Sequence, residues 1–175
     1  MSEILIRAAR PEDAEHIGRI RVAAWQAAYR GVMPDTYLDG LDPTANLDGL
    51  RLRLAAPDAA FRVLMGECDG VPQGFLISGT PRFVCDAGSV ELYALNLAPA
   101  AWGRGLAQAM IAESLEQARR DGAQRMGLWC IASNQRALRC YDRAGFALGG
   151  QRRTSDDLTG LPITEVDCWH DLAEV

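Results

Sequence analysis

Apolar residues recur along this chain at two different intervals, and each change of interval marks an element. Ala14, Ile17, Ile20, Ala24 and Ala28 return at helical spacing. That spacing predicts a helix across "RPEDAEHIGRIRVAAWQAAYRG" with these side chains facing a core. Pro11 suits its first turn, Glu12 and Asp13 suit the positive end of the dipole, and Gly31 closes it. A short strand, "ILIRA" at 4–8, precedes it, and a second helical stretch from about Pro34 to Leu54 is broken by "GLDP". The pattern then tightens to that of strands. "FRVLMGECDGVPQGFLISG" holds two apolar runs around Asp69-Gly70, a strong hairpin signal. "SVELYALNL" at 89–97 is mostly apolar and reads as a central strand covered on both faces. Leu106, Ala109, Met110, Ala112 and Leu115 give an apolar side to a helix from about Gly105 to Arg120, which Gly122 stops. "RMGLWCI" at 125–131 is the next strand, and "SNQRALRCYDRAGF" is a compact helix capped by Ser133 or Asn134. The remainder is a pair of strands around a long polar turn. The order β-α-α-β-β-β-α-β-α-β-β predicts one α/β (α+β) domain over residues 1–175.

Composition narrows the function. Of the 175 residues, 49% are apolar, enough for a core without disulfide or metal staples. No apolar run approaches the ~20 residues of a membrane helix. The first residues carry acids early and lack the layout of a signal peptide, so a cytoplasmic location is expected. Cys68, Cys85, Cys130, Cys140 and Cys168 are scattered without a CxxC, and His16 and His170 lie at opposite ends. Neither a disulfide framework nor metal catalysis is expected. The net charge of -5 does not suit a general nucleic-acid binder, although all 18 basic residues are arginine and a local cluster can hold a small anion.

The candidate chemistry lies in "PAAWGRGLAQAMIAESL" at 99–115. Gly103-x-Gly105 begins like a dinucleotide fingerprint, but Gln108 takes the third glycine position and several strands precede it. No Gly-Lys-Ser/Thr occurs, so the P-loop pattern fails too. The physics of the loop remains: small residues let the backbone close tightly, and a helix start presents free N–H groups to phosphate oxygens. Arg104 can add a charge-assisted contact. A glycine-eased turn with no ligand fits the loop alone equally well.

The next block separates the two. "WGRGLAQAMI" followed by "NQRALRCYDRAGF" resembles the GNAT superfamily of acetyl-coenzyme A-dependent N-acyltransferases. Trp102-Gly103-Arg104-Gly105-Leu106-Ala107 fills the frame of that family's phosphate loop, with Trp102 in place of the usual Gln or Arg. Asn134, Ala137, Tyr141, Gly145 and Phe146 fill every named position of its later block. The opening "IRAARPEDAEHIGRI" and the strand "ELYALNLAP" are similar as well, so the likeness spans nearly the whole chain. The resemblance implies a mixed, largely antiparallel central sheet with a splayed central strand and helices on both faces. It implies acetyl-CoA as co-substrate, no metal, and a primary amine as acceptor.

Residue by residue, the resemblance implies that residues 102–107 hold the pyrophosphate and that Leu95, Asn96 and Leu97 hold the pantetheine as an added strand. Asn134 both caps its helix and meets the pantetheine arm, beside Ala137. Tyr141 approaches the sulfur and protonates the departing thiolate; its other reading is core packing. Glu91 is either the general base or a strand-end carboxylate paired with an arginine. Trp25 and Tyr29, four apart and off the Ile17/Ile20 line, are either packing under the second helix or an aromatic wall of the acceptor pocket. Arg152, Arg153, Asp156 and Asp157 make a polar turn that borders the pocket or is simply solvated. A non-catalytic acyl-CoA sensor with the same fold is the rival reading, and a homodimer is left open.

Overall fold

Val63 and Met65 of one strand pack with Phe75, Ile17 and Ile20, whereas the intervening Leu64 packs with Leu76, Leu106 and Met110. That alternation places one sheet between two helical layers, because successive strand residues face opposite sides. The computed structural model describes residues 3–56 and 60–172. Within them the strands are β1 (Ile4–Ala8), β2 (Phe61–Cys68), β3 (Val71–Gly79), β4 (Ser89–Leu97), β5 (Arg125–Ile131), β6 (Ala147–Ser155) and β7 (Ile163–Asp171). The helices are α1 (Ala14–Tyr29), α2 (Asp35–Asp39), α3 (Leu47–Ala55), α4 (Leu106–Arg120) and α5 (Gln135–Arg143). The sheet runs β1-β2-β3-β4-β5-β7-β6. Every neighbouring pair is antiparallel except β4–β5. The mixed, largely antiparallel sheet is therefore as expected, and so is the element order except that the second helical stretch is two helices, α2 and α3, on either side of the "GLDP" break.

Helices α4 and α5 cover one face with Leu106, Met110, Ile111 and Tyr141, over Leu92, Met126 and Leu128. Helix α1 covers the other. Each fully buried Leu, Met or Phe contributes about 1.5–3 kcal/mol of transfer free energy, so this double-sided core carries the fold. Arg7 ties β1 to the turn before α1: it donates to both oxygens of Asp13 (2.7 and 2.8 Å) and to Glu67 on β2 (2.7 Å). No helix among the described residues is long and apolar enough to cross a membrane.

The feature that positions the site is a split in the sheet. β4 and β5 pair only at Ser89–Arg125, Val90–Met126 and Glu91–Gly127, and then diverge. On its other side β4 stays paired with β3 as far as Leu97–Gly74, with one irregularity where Leu92 faces Ser78 and Ala94 faces Ile77. Ala98 N donates to Gln73 O at 2.8 Å. By the alternation of antiparallel pairs, Ala98, Asn96 and Ala94 turn their backbone groups to β3, and Leu95 and Leu97 turn theirs to the opening.

Candidate functional site

The opening leads into a cavity of about 720 Å³. β4 contributes Leu95, Asn96 and Leu97, the loop after it contributes Trp102, Gly103 and Gly105, and α4 contributes Ala107. From α5 and its cap come Asn134, Ala137 and Tyr141, and from α1 comes Tyr29. The two sequence blocks, some thirty residues apart, thus form facing walls of one cavity.

The loop's backbone explains its composition. Gly103 and Gly105 adopt φ of +74° and +87°, where an L side chain is strained. Gly105 is the N-cap of α4, and the helix's first main-chain bond runs from Ala109 N to Gly105 O at 3.1 Å. The N–H groups of Leu106, Ala107 and Gln108 consequently have no intrahelical acceptor. Trp102 acts as a brace. Its Nε1 donates to Leu97 O at 3.0 Å, and the Arg136 guanidinium lies 3.7 Å from its ring centre. The unusual residue at the head of the loop therefore joins β4, the loop and α5.

Three residues of this wall were not singled out from the sequence. Arg136, Arg139 and Arg143 line the cavity from α5. Their i, i+3, i+7 spacing puts them on one helix face and was a readable signal. Together with the free N–H groups of α4 they give the cavity a positive wall suited to a phosphate-bearing ligand. Gln108 Nε2 donates to Cys140 O at 2.8 Å and locks α4 to α5 behind it.

At the other end the groups are nearly neutral. Asn134 Oδ1 accepts from Ala137 N at 3.1 Å, which makes Asn134 the cap of α5, and its Nδ2 donates to the Tyr29 hydroxyl at 3.3 Å. Tyr141 is buried, meets Phe146 edge-on at 5.9 Å, and its hydroxyl has no hydrogen-bond partner among the described residues. Burial pushes its phenol well above the usual tyrosine range. The thiols nearby respond the same way, with burial pushing Cys130 up to about 12.

Four expected site residues lie outside the lining. Leu106 is fully buried in the core, and Arg104 is exposed beyond the rim. Trp25 packs against Tyr29 (5.4 Å, edge-on) and against Tyr37 of α2 (6.5 Å). Glu91 is 2% exposed and paired with an arginine: Oε2 accepts from Arg82 N (2.7 Å), and Oε1 accepts from Arg82 Nη2 (2.6 Å). Both its oxygens are occupied, and Arg82 in turn lies over the Tyr93 ring.

Known proteins resemble this chain in sequence and in fold. The sequence model described as "Acetyltransferase (GNAT) family" matches residues 13–146. The "Mycothiol acetyltransferase" of Beutenbergia cavernae is 36% identical over 73 residues, which cover 42% of this chain and 25% of that protein. The "Uncharacterized N-acetyltransferase Mb2688" of Mycobacterium bovis is 36% identical over 110 residues, 62% of this chain and 67% of that one. The chain thus matches only a quarter of the length of the first relative. Among solved structures, the PaiA N-acetyltransferase of Thermoplasma acidophilum in complex with coenzyme A shares the fold. Its TM-score is 0.73 at 16% identity, over 97% of this chain and 99% of that one.

Proposed function

Since the chain belongs to the GNAT acetyltransferase family, we propose that it transfers an acetyl group from acetyl-CoA to a primary amine. The observation that carries this reading is the cavity at the split sheet, positive at the α4 end and nearly neutral at the Tyr141 end. Its residues fit coenzyme A. The N–H groups of Leu106, Ala107 and Gln108 with Arg136, Arg139 and Arg143 would hold the phosphates, and Leu95 and Leu97 would pair with the pantetheine amides. Asn134 would meet the same arm. Bound acetyl-CoA supplies the acetyl group as a thioester.

The chain's own tasks are then to bind, to exclude water and to manage protons. Tyr141, one of the residues lining the cavity, keeps its proton at Oη and delivers it to the thiolate. A lysine-like amine lies about 3.4 units below its pKa at pH 7, so presenting it uncharged costs about 4.6 kcal/mol. With its oxygens taken, Glu91 serves chiefly to fasten Arg82 and the loop after β3. Glu91→Gln is then expected to lower unfolding stability by about 1–3 kcal/mol and to leave the acidic limb of the pH–rate profile in place. Loss of that limb would make Glu91 the base.

The test of the overall reading is calorimetric titration with acetyl-CoA, followed by thiol release against a panel of amines. Micromolar binding with release on one class of amine is expected. Binding with no release on any amine would favour a sensor of acyl-CoA, and no binding would overturn the reading.

A further inference from the structure

The split between β4 and β5 opens through the sheet, so the face opposite α4 and α5 looks into the same gap. On that face β5 presents Trp129 and Ile131, because the alternate residues Met126, Leu128 and Cys130 belong to the core under α4. Across β5–β7, Ile131 is paired with Glu165 and Trp129 with Asp167. Glu91 sits at the closed end of the gap, opposite Gly127. Glu165, four positions further along β5, lies about 13 Å nearer the open end. The same end of β5 leads to Asn134, whose N donates to Ile131 O at 2.9 Å and whose side chain holds Tyr29.

The two carboxylates differ in what they have left to offer. Glu91 is buried, with both oxygens bound to Arg82. Glu165 is part-exposed and accepts one hydrogen bond, from Arg153 Nε to Oε2 at 2.6 Å, so Oε1 has no partner among the described residues. Beside it stands Trp129, with Arg153 over its ring at 4.3 Å and Phe83 against it at 5.9 Å. Trp129 Nε1 is buried and has no hydrogen-bond partner among the described residues. A buried donor without an acceptor marks a place where something else supplies one.

We propose that Glu165, with Trp129 beside it, receives the acceptor amine as its ammonium, and that the substrate is a primary amine with a hydrogen-bond acceptor on its body. The proposal rests on the acetyltransferase reading. The free oxygen of Glu165 takes the ammonium, and the indole N–H takes an oxygen of the substrate. Both a free amino alcohol and a peptide N-terminus present that ammonium together with an oxygen.

The experiment compares wild type, Glu165→Gln and Arg153→Met with three probes: ethanolamine, a short peptide amidated at its C-terminus, and hydroxylamine as an uncharged nucleophile. Glu165→Gln is expected to raise the KM of the charged probe that serves as acceptor at least tenfold. The rate with hydroxylamine and the acetyl-CoA Kd should stay within about twofold. Arg153→Met, which removes the competing cation, should lower that KM, an opposite sign that a merely damaged fold would not give. The charged probe that responds identifies the source of the amine. Calorimetric binding of the same two amines to the coenzyme A-saturated protein is measured alongside, so the outcome does not depend on turnover. An amine Kd or KM unchanged in Glu165→Gln overturns the proposal, as does the absence of any amine binding. Wild type that binds both coenzyme A and amine without thiol release would instead fail the transferase reading.

Discussion

Gly105→Glu is expected to raise the Kd for acetyl-CoA at least about 100-fold while the protein still folds. Gly105 sits at φ +87°, so any side chain there carries left-handed strain of about 1–2 kcal/mol. Space is not the obstacle, because the nearest atom to an added Cβ is Ile4 Cδ1 at 3.8 Å. A carboxylate near a helix N-terminus is itself favourable by about 0.3–1 kcal/mol, which offsets part of the strain. The same carboxylate occupies the seat that the N–H groups of Leu106, Ala107 and Gln108 offer to phosphate, and repels what remains. A 100-fold loss corresponds to about 2.7 kcal/mol. Gly105→Ala carries the strain without the charge, and its smaller loss separates the two effects. Unchanged affinity in Gly105→Glu, measured by calorimetry, would remove this loop from the binding site.

Tyr141→Phe should lower turnover by about 100-fold or more and leave the acetyl-CoA Kd within a few-fold. The substitution deletes one oxygen and keeps the ring against Phe146. No described residue loses a hydrogen-bond partner, so stability should hold. The loss in rate is that of a general acid, typically 10²–10⁴. A phenol pushed up by burial would be a poor donor to an ordinary thiolate near 8.5. The surroundings raise thiols as well, however, with Cys130 at about 12 and Cys140 also pushed up by burial. A thiolate formed in the same low-polarity cavity is raised in its turn, which narrows the uphill step. A Tyr141→Phe rate within a few-fold of wild type would leave the tyrosine a packing residue.

Local chemistry was what the sequence disclosed best. Asp69 and Gly70 both adopt positive φ, as the hairpin signal required, because a two-residue turn is decided by the residues in it. The helix start at Gly105 and the cap at Asn134 were legible for the same reason. Long-range pairings were not. Glu91 meets Arg82 from an irregular loop with no period to reveal which way its side chains point. Phe83, from the same loop, contacts Trp129 and Trp169 on strands 46 and 86 residues later, at 5.9 and 5.7 Å. Arg136, Arg139 and Arg143 share a face in any helical reading of that segment, but only folding decides that the face borders a cavity. Nothing in the sequence around Glu165 sets it apart, because its level along the gap comes from its register with Ile131.

With β4 and β5 sharing only three residue pairs, the seven strands amount to half-sheets of four and three joined at one corner. Such a joint lets the smaller half open with less free energy than the whole molecule needs to unfold. A ligand lying along Leu95 and Leu97 would splice the halves, and its binding energy would appear as resistance to that opening. The amide protons of β5 and β7 should therefore exchange with solvent more slowly when coenzyme A is bound, although neither strand's backbone need touch it.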